Sequence, residues 1–249
     1  NNETGQVKML QIPRNIFVTT DASFSGNYQI NAIAKTQGSN GGNNISALAD
    51  EIYNIFGLHV DGYLSVRLEA LTQIIDTFGG IKVYVPQEMD YGGSHLSKGY
   101  QTMDGAAAEF FLRTRHIYAD SDLGRLRMQR YFYAALFARM RSMTVWDIAK
   151  LLPVITSQME TDLSSTELVS VAVSMLKISS SNIMFCQIPV YMGQAISYNG
   201  NSTVVVARQE TADLLNEYFR ENTGPVDASQ LNIAGDDGLF DLSGLTASD

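Results

Sequence analysis

From Val7 to Ile12 apolar positions alternate weakly with polar ones until Pro13, which predicts a strand closing at Ile12-Pro13-Arg14. A short apolar run follows from Asn15 to Val18, and the Gly/Asn/Ser-rich stretch Gly38 to Asn44 reads as a loop. Ser46 begins a helix, with Leu48, Ile52, Ile55 and Phe56 at helical spacing and Gly57 as its stop. Val60 to Val66 alternates as a strand, Glu69 to Phe78 repeats as a helix ended by Gly79-Gly80, and Ile81 to Val85 is a strand stopped by Pro86. Asp90-Tyr91-Gly92-Gly93 reads as a loop. Asp104 is placed to cap a helix through Ala106, Ala107, Ala108 and Phe110, and Asp122 to cap a long helix reaching about Met143. Val145 to Met159 is helical with an interruption at Pro153, and Thr166 to Ile178 is helical. Ile183 to Val190 and Thr203 to Val206 read as strands, and Glu210 to Phe219 as a helix. This alternation predicts a layered α/β fold with helices on both sheet faces.

From Thr223 onward glycines and aspartates dominate, which predicts a flexible acidic tail over residues 223–249, with Leu239-Phe240-Asp241-Leu242 as its one docking candidate. The 249 residues, 45% of them hydrophobic, suffice for a substantial core, and no apolar run is long enough to cross a bilayer. The chain opens on polar Asn1-Asn2-Glu3-Thr4-Gly5, without a signal-peptide pattern. Its single cysteine, Cys186, excludes an intrachain disulfide and reads as a buried structural thiol in Ile183-Met184-Phe185-Cys186. His59, His95 and His116 lack the spacing of a zinc site, and no GxSxG, GxGxxG or Walker pattern occurs.

A net charge of -9 argues against nucleic acid as a partner. Against that acidic background, seven of the eleven arginines lie between Arg113 and Arg141, which points to a local anion site. If Arg113 and Arg115 are extended, their side chains point to one side, where two guanidinium forks suit a phosphate or pyrophosphate. Arg125 and Gln129 share a face one helical turn apart, and that face continues through Phe132, Leu136 and Met140. The stripe is either ordinary core or a lipid-contacting wall, and Asp122 either caps the helix, orients an arginine, or does both. Spacing alone leaves these alternatives open. His116 adjoins the arginine pair and either lines the site or faces solvent.

Several motifs occur in a specific order. Ile12-Pro13-Arg14, Ile30-Asn31-Ala32 and Ile75-Asp76-Thr77-Phe78-Gly79-Gly80-Ile81-Lys82-Val83 come first. Lys98-Gly99-Tyr100-Gln101-Thr102-Met103-Asp104-Gly105, Arg113-Thr114-Arg115 and Asp122-Leu123-Gly124-Arg125 follow. The series resembles the LytR-CpsA-Psr domain, also called a cell-envelope-related transcriptional attenuator, from about Val7 to Arg141, and Gly193 to Phe219 resembles a C-terminal part of some members. The resemblance implies a three-layer α/β/α sandwich with a central mixed β-sheet over residues 1–222. It implies a phosphotransferase that moves a glycopolymer of wall-teichoic-acid or capsular type from a polyprenyl pyrophosphate carrier to peptidoglycan. It also implies an N-terminal membrane anchor, action on the extracytoplasmic face, and Mg²⁺ held by ligands upstream of this chain. Arg113, Arg115, Asp122 and Arg125 would be its catalytic group, and Arg14 and Gln129 its substrate contacts; no residue of this chain is assigned to metal.

Three positions depart from the family's pattern. Asn15 stands where an aspartate is usual, Gln29 where a lysine is usual, and Met128 where a second arginine is usual. These departures keep a second function open, a non-catalytic polyprenyl-phosphate-binding module. Direct transcriptional regulation is disfavoured by the acidic balance and the lack of a recognisable helix-turn-helix.

Overall fold

The computed structural model describes residues 4–19, 28–35, 44–198 and 201–236, with backbone alone at 148, 152, 154–158 and 192–198. The chain forms two compact units, one of residues 1–9 and 62–185, the other of residues 10–61 and 186–249. Of the three crossings, those at 9/10 and 185/186 fall inside β1 (Val7–Gln11) and β8 (Ile183–Gln187), and the third, at 61/62, lies in irregular chain. The class is α/β, and the described strands pair two by two into five ladders.

The first unit contains β2 (Leu64–Val66), α3 (Leu68–Thr77), β3 (Ile81–Val85), β4 (Met89–Tyr91), β5 (Ser94–Leu96) and β6 (Gly99–Met103). It continues with α4 (Gly105–Arg113), α5 (Asp122–Arg141), α6 (Val145–Gln158), β7 (Met159–Thr161) and α7 (Ser165–Leu176). Strand β3 alternates as its sequence predicts, with Ile81, Val83 and Val85 buried and Lys82 and Tyr84 outward. It pairs antiparallel with β6 along its whole length, from Ile81 opposite Met103 to Val85 opposite Gly99. Ile75, Met103, Ala108, Phe111 and Phe132 close the core beneath it. The stripe on α5 is core: Phe132 is fully buried, Leu136 packs beside it, and Met140 joins a second cluster around Ile74, Met143 and Leu151.

Local chemistry explains where elements start and stop. The carboxylate of Asp104 accepts from Ala107 N at 2.8 Å and caps α4, as its position predicts. Asp76 adds a second carboxylate there, accepting from Gly105 N at 2.7 Å. A side chain at Gly105 would lie 2.6 Å from the Thr72 carbonyl oxygen, so Asp76 and Gly105, far apart in sequence, serve one helix–helix junction. The expected strand Val60–Val66 is reduced to three residues, because Tyr63 N donates to the Asp162 carboxylate instead of to a ladder. Asp90–Gly93 belongs to the β4–β5 hairpin, whose turn glycines take φ values of 60° and 82°. Helix α6 runs through Pro153 as one element.

The second unit contains α1 (Ile30–Ile33), α2 (Ile45–Phe56), β9 (Val190–Tyr198), β10 (Asn201–Val206) and α8 (Arg208–Tyr218) around Ile16, Ile33, Phe56, Ile188 and Leu215. Asn44 caps α2 and Gly57, at φ 62°, ends it. The buried Arg220 guanidinium donates to the carbonyls of Phe56 and Gly57 at that end. Residues 223–236, expected as part of a flexible tail, are held by specific contacts. Asn216 clamps both backbone groups of Val226 at 2.9 Å, Leu231 and Ile233 are buried, and Asp236 accepts from Arg208 N at the start of α8. Two apolar side chains among many aspartates are enough to anchor the segment. Leu239–Leu242, and the expected loop up to Asn44, lie outside the described residues. Cys186, expected buried, is only half-buried in β8.

Candidate functional site

The arginine-rich stretch spans the end of α4 and the start of α5. Thr114 leaves the helix with an extended backbone, and the chain turns through hydrogen bonds from Tyr118 N to Arg115 O and from Ser121 N to Tyr118 O, both 3.1 Å. Ser121 takes φ 49°, a left-handed conformation that costs a non-glycine residue energy, and α5 begins immediately after it. Ser121 therefore holds the cap position expected of Asp122, and Asp122 is the first helical residue, where the positive end of the helix favours its carboxylate.

One oxygen of Asp122 lies 3.6 Å from Arg115 Nη1 and 3.5 Å from Arg125 Nη2. Its side chain is 12% exposed, that of Arg125 18% and that of Arg115 39%. Two guanidinium groups thus share one carboxylate, and the trio keeps one positive charge. Ion contacts of this length are looser than a tight charge-assisted hydrogen bond. Such a cluster, fixed from below and open through Arg115, is suited to receive a doubly charged oxyanion.

The neighbouring arginines do other work. Arg127 Nη1 donates to Asp120 Oδ2 at 2.5 Å, so it does not stand in for the arginine that Met128 replaces. The Arg127 guanidinium holds the Asp120 carboxyl below its ordinary value of 3.8, and its own pKa is raised in return. A folded-state pKa below the unfolded value stabilises the fold above that ordinary value, and the contribution is lost as pH falls through the lower one. Wild-type protein should therefore lose thermal stability more steeply than Asp120→Asn as pH falls below about 4. Melting curves across that range test this; parallel acid limbs would remove the pair from the stability account.

Gly124 lies against the turn. A Cβ there would sit 2.4 Å from Tyr118 Cβ and 2.6 Å from Asp120 Oδ1, so only glycine admits the approach. The Tyr118 hydroxyl contacts Met89 Sδ at 3.8 Å, and burial pushes its pKa up to about 12. His116 stacks on Tyr91, 4.9 Å between ring centres.

Other expected site residues are placed differently. Arg113 is helical instead of extended, its side chain 65% exposed and bonded to Glu109 one turn back at 2.8 Å, so it does not share a strand side with Arg115. Gln129 donates to the Leu112 carbonyl at 3.0 Å and ties α5 to α4. Arg14 belongs to the second unit, exposed, with its carbonyl accepting from Asn31 N at 3.1 Å, which joins the Pro13-Arg14 and Ile30-Asn31-Ala32 motifs. There the departures Asn15 and Gln29 both donate a side-chain amide to Ser202 O, at 3.4 and 2.9 Å. An aspartate at 15 could not donate, so the two neutral residues suit the same acceptor. The Asp120–Arg127 pair and the role of Ser202 were not read from the sequence; the D-x-D spacing of Asp120 and Asp122 was the one signal available.

Among the described residues no three His, Cys, Asp or Glu side chains gather as a metal site. Among them, too, no helix is long and apolar enough to cross a membrane.

The chain is 26% identical to the cell wall biosynthesis protein LcpA of Corynebacterium glutamicum over 92% of its own length and 42% of that protein's. It is 28% identical to the polyisoprenyl-teichoic acid–peptidoglycan teichoic acid transferase TagU of Oceanobacillus iheyensis, over 68% of its own length and 52% of that protein's. The chain thus spans about half the length of these relatives. The crystal structure of Bacillus subtilis TagV superposes with a TM-score of 0.65 at 24% identity, covering 92% of this chain and 81% of that one, which shows a shared fold. The family model described as LytR_cpsA_psr matches residues 1–220, and the chain belongs to that family.

Proposed function

We propose that this chain is a phosphotransferase that moves a glycopolymer, of wall-teichoic-acid or capsular type, from a polyprenyl pyrophosphate carrier to a peptidoglycan hydroxyl. The observation that carries the reading is the Asp122 carboxylate set between Arg115 and Arg125 with one positive charge left over. The name of the Oceanobacillus iheyensis relative, a teichoic acid transferase acting on peptidoglycan, supports the same chemistry. In the reaction the acceptor oxygen forms a bond to the phosphorus that carries the polymer. The bond from that phosphorus to the bridging oxygen breaks, polyprenyl phosphate leaves, and the acceptor proton is released to solvent. Negative charge grows on the bridging and non-bridging oxygens, and guanidinium groups aimed there stabilise it. Mg²⁺ belongs to the proposal by family resemblance alone, as do the N-terminal anchor and the extracytoplasmic location.

The test is transfer by the purified chain of a polyprenyl-pyrophosphate-linked polymer onto isolated peptidoglycan, with Mg²⁺ supplied and release of polyprenyl phosphate measured. Arg115→Ala and Arg125→Ala should each lower kcat/KM by about 10²-fold or more, whereas Arg113→Ala, already bonded to Glu109, should cost less than about tenfold. Donor binding with no polyprenyl phosphate released would replace the transferase with a lipid-phosphate-binding module.

A further inference from the structure

Away from the arginine cluster, the solvent face of the β3–β6 ladder carries an aromatic group with a cation. Lys82 and Tyr84 stand opposite Thr102 and Tyr100, and the four side chains point outward. The Tyr84 and Tyr100 rings meet edge-on at 5.1 Å, α5 contributes Tyr131 at 5.9 Å from Tyr84, and the Lys82 ammonium lies 5.2 Å from the Tyr100 ring centre. The three rings nevertheless remain 36%, 69% and 40% exposed for Tyr84, Tyr100 and Tyr131. Cross-strand pairing accounts for Tyr84 beside Tyr100. It does not account for a third ring brought in from a helix, or for so much aromatic surface left in water.

The head-group chemistry does not use this face. Tyr131 follows Arg125 by six residues on α5, about 240° around the helix, so the two side chains leave it on different sides. The pyrophosphate of a donor held at Arg125 therefore lies on a different side of α5 from the tyrosines.

We propose that Lys82, Tyr84, Tyr100, Thr102 and Tyr131 form a docking subsite for the glycan strand of peptidoglycan, the acceptor of the reaction proposed above, and the inference rests on that reading. A pyranose ring presents a C–H face that packs on a tyrosine ring, and hydroxyls at its rim that reach the phenols and the Thr102 hydroxyl. The carboxylates of the strand's stem peptides find the Lys82 ammonium here, a local positive charge in a chain of net charge -9. An anionic lipid surface would meet Lys82 as well but offers no pyranose face, and the vesicle arm of the experiment below separates the two. A second copy of the chain would bring another nine negative charges. Docking a polymeric acceptor at a point remote from the chemistry raises its local concentration at the pyrophosphate without occupying the reacting centre.

The experiment is co-sedimentation of the purified chain with sacculi stripped of attached polymers, compared with anionic phospholipid vesicles. The variants are Tyr100→Ala, the pair Tyr84→Ala with Tyr131→Ala, Lys82→Gln, and Arg125→Ala as the head-group control. Tyr100→Ala should weaken sacculus binding about tenfold, and the double variant at least as much, with unchanged melting temperature and unchanged binding of polyprenyl pyrophosphate. Arg125→Ala should show the opposite pattern. Tyrosine variants that sediment like wild type, a wild type that does not sediment, or Tyr100-dependent binding to vesicles instead of sacculi would each overturn the subsite. Tyr100-dependent sacculus binding without any transfer by wild type would remove the transferase reading and leave the subsite standing.

Discussion

Changing Asp122 to asparagine should lower the turnover of glycopolymer transfer by about a hundredfold while leaving donor affinity equal or tighter. Two effects of the substitution oppose each other. Removing a negative charge next to the bound pyrophosphate favours binding, by roughly 1–4 kcal/mol for unit charges about 4 Å apart under partial solvent screening. Removing the shared carboxylate also frees Arg115 and Arg125, which lie 3.6 and 3.5 Å from it, to repel each other and leave the geometry the reaction needs. Ground-state binding tolerates that disorder, because long guanidinium side chains can still reach the anion. The transition state does not, because its charge appears at fixed points. A fall in kcat of about 10²-fold corresponds to roughly 2.7 kcal/mol. In the proposed reaction Asp122 acts as a positioning residue, and the split between kcat and KM is the signature expected of it. A rise in KM at constant kcat would show instead that Asp122 acts only on binding.

Gly124→Ala should destabilise the protein by about 1–3 kcal/mol and reduce transfer in the fraction that remains folded. Within a helix the substitution normally helps by about 1 kcal/mol, since alanine loses less backbone entropy. Here the new Cβ would lie 2.4 Å from Tyr118 Cβ, 2.6 Å from Asp120 Oδ1 and 2.7 Å from Tyr118 Cγ. Such separations cannot persist, so the 118–120 turn must move away from α5. That movement strains the Asp120–Arg127 bond and the left-handed Ser121, and through them the placement of Asp122. Against a total stability of about 5–15 kcal/mol the loss is readily measured by denaturant unfolding. An unchanged or raised midpoint would mean that the turn yields freely and does not hold the site.

These two residues also show what periodicity can reveal. Asp122 could be picked out early, because it precedes a helical repeat and lies three residues before an arginine. Its role as a cap and its role as an arginine holder were equally open, and the answer depended on the φ of Ser121, which no local pattern encodes. Gly124 read only as part of a motif. What it permits is the close approach of Tyr118, in a turn whose tyrosine hydroxyl also touches the distant Met89. Arg113 and Arg115 illustrate the opposite failure: an R-x-R spacing implies one side only if the chain is extended, and α4 extends through Arg113.

The sequence by itself determined the α/β class, most of the helices and strands with their caps, the arginine-dense region and the family. These depend on short-range periodicity, on cap residues and on an ordered set of motifs, all of which lie along one dimension. Only the tertiary structure decided which carboxylate each arginine meets. Arg115 and Arg125 meet at Asp122, Arg127 is claimed by Asp120, and Arg113 by Glu109. It likewise decided that part of an aspartate-rich tail packs through Leu231 and Ile233, and that three tyrosines from two strands and a helix share one exposed face. The reason is physical: a guanidinium binds whichever carboxylate the fold brings within about 4 Å, and that choice is made by packing between segments distant in the chain.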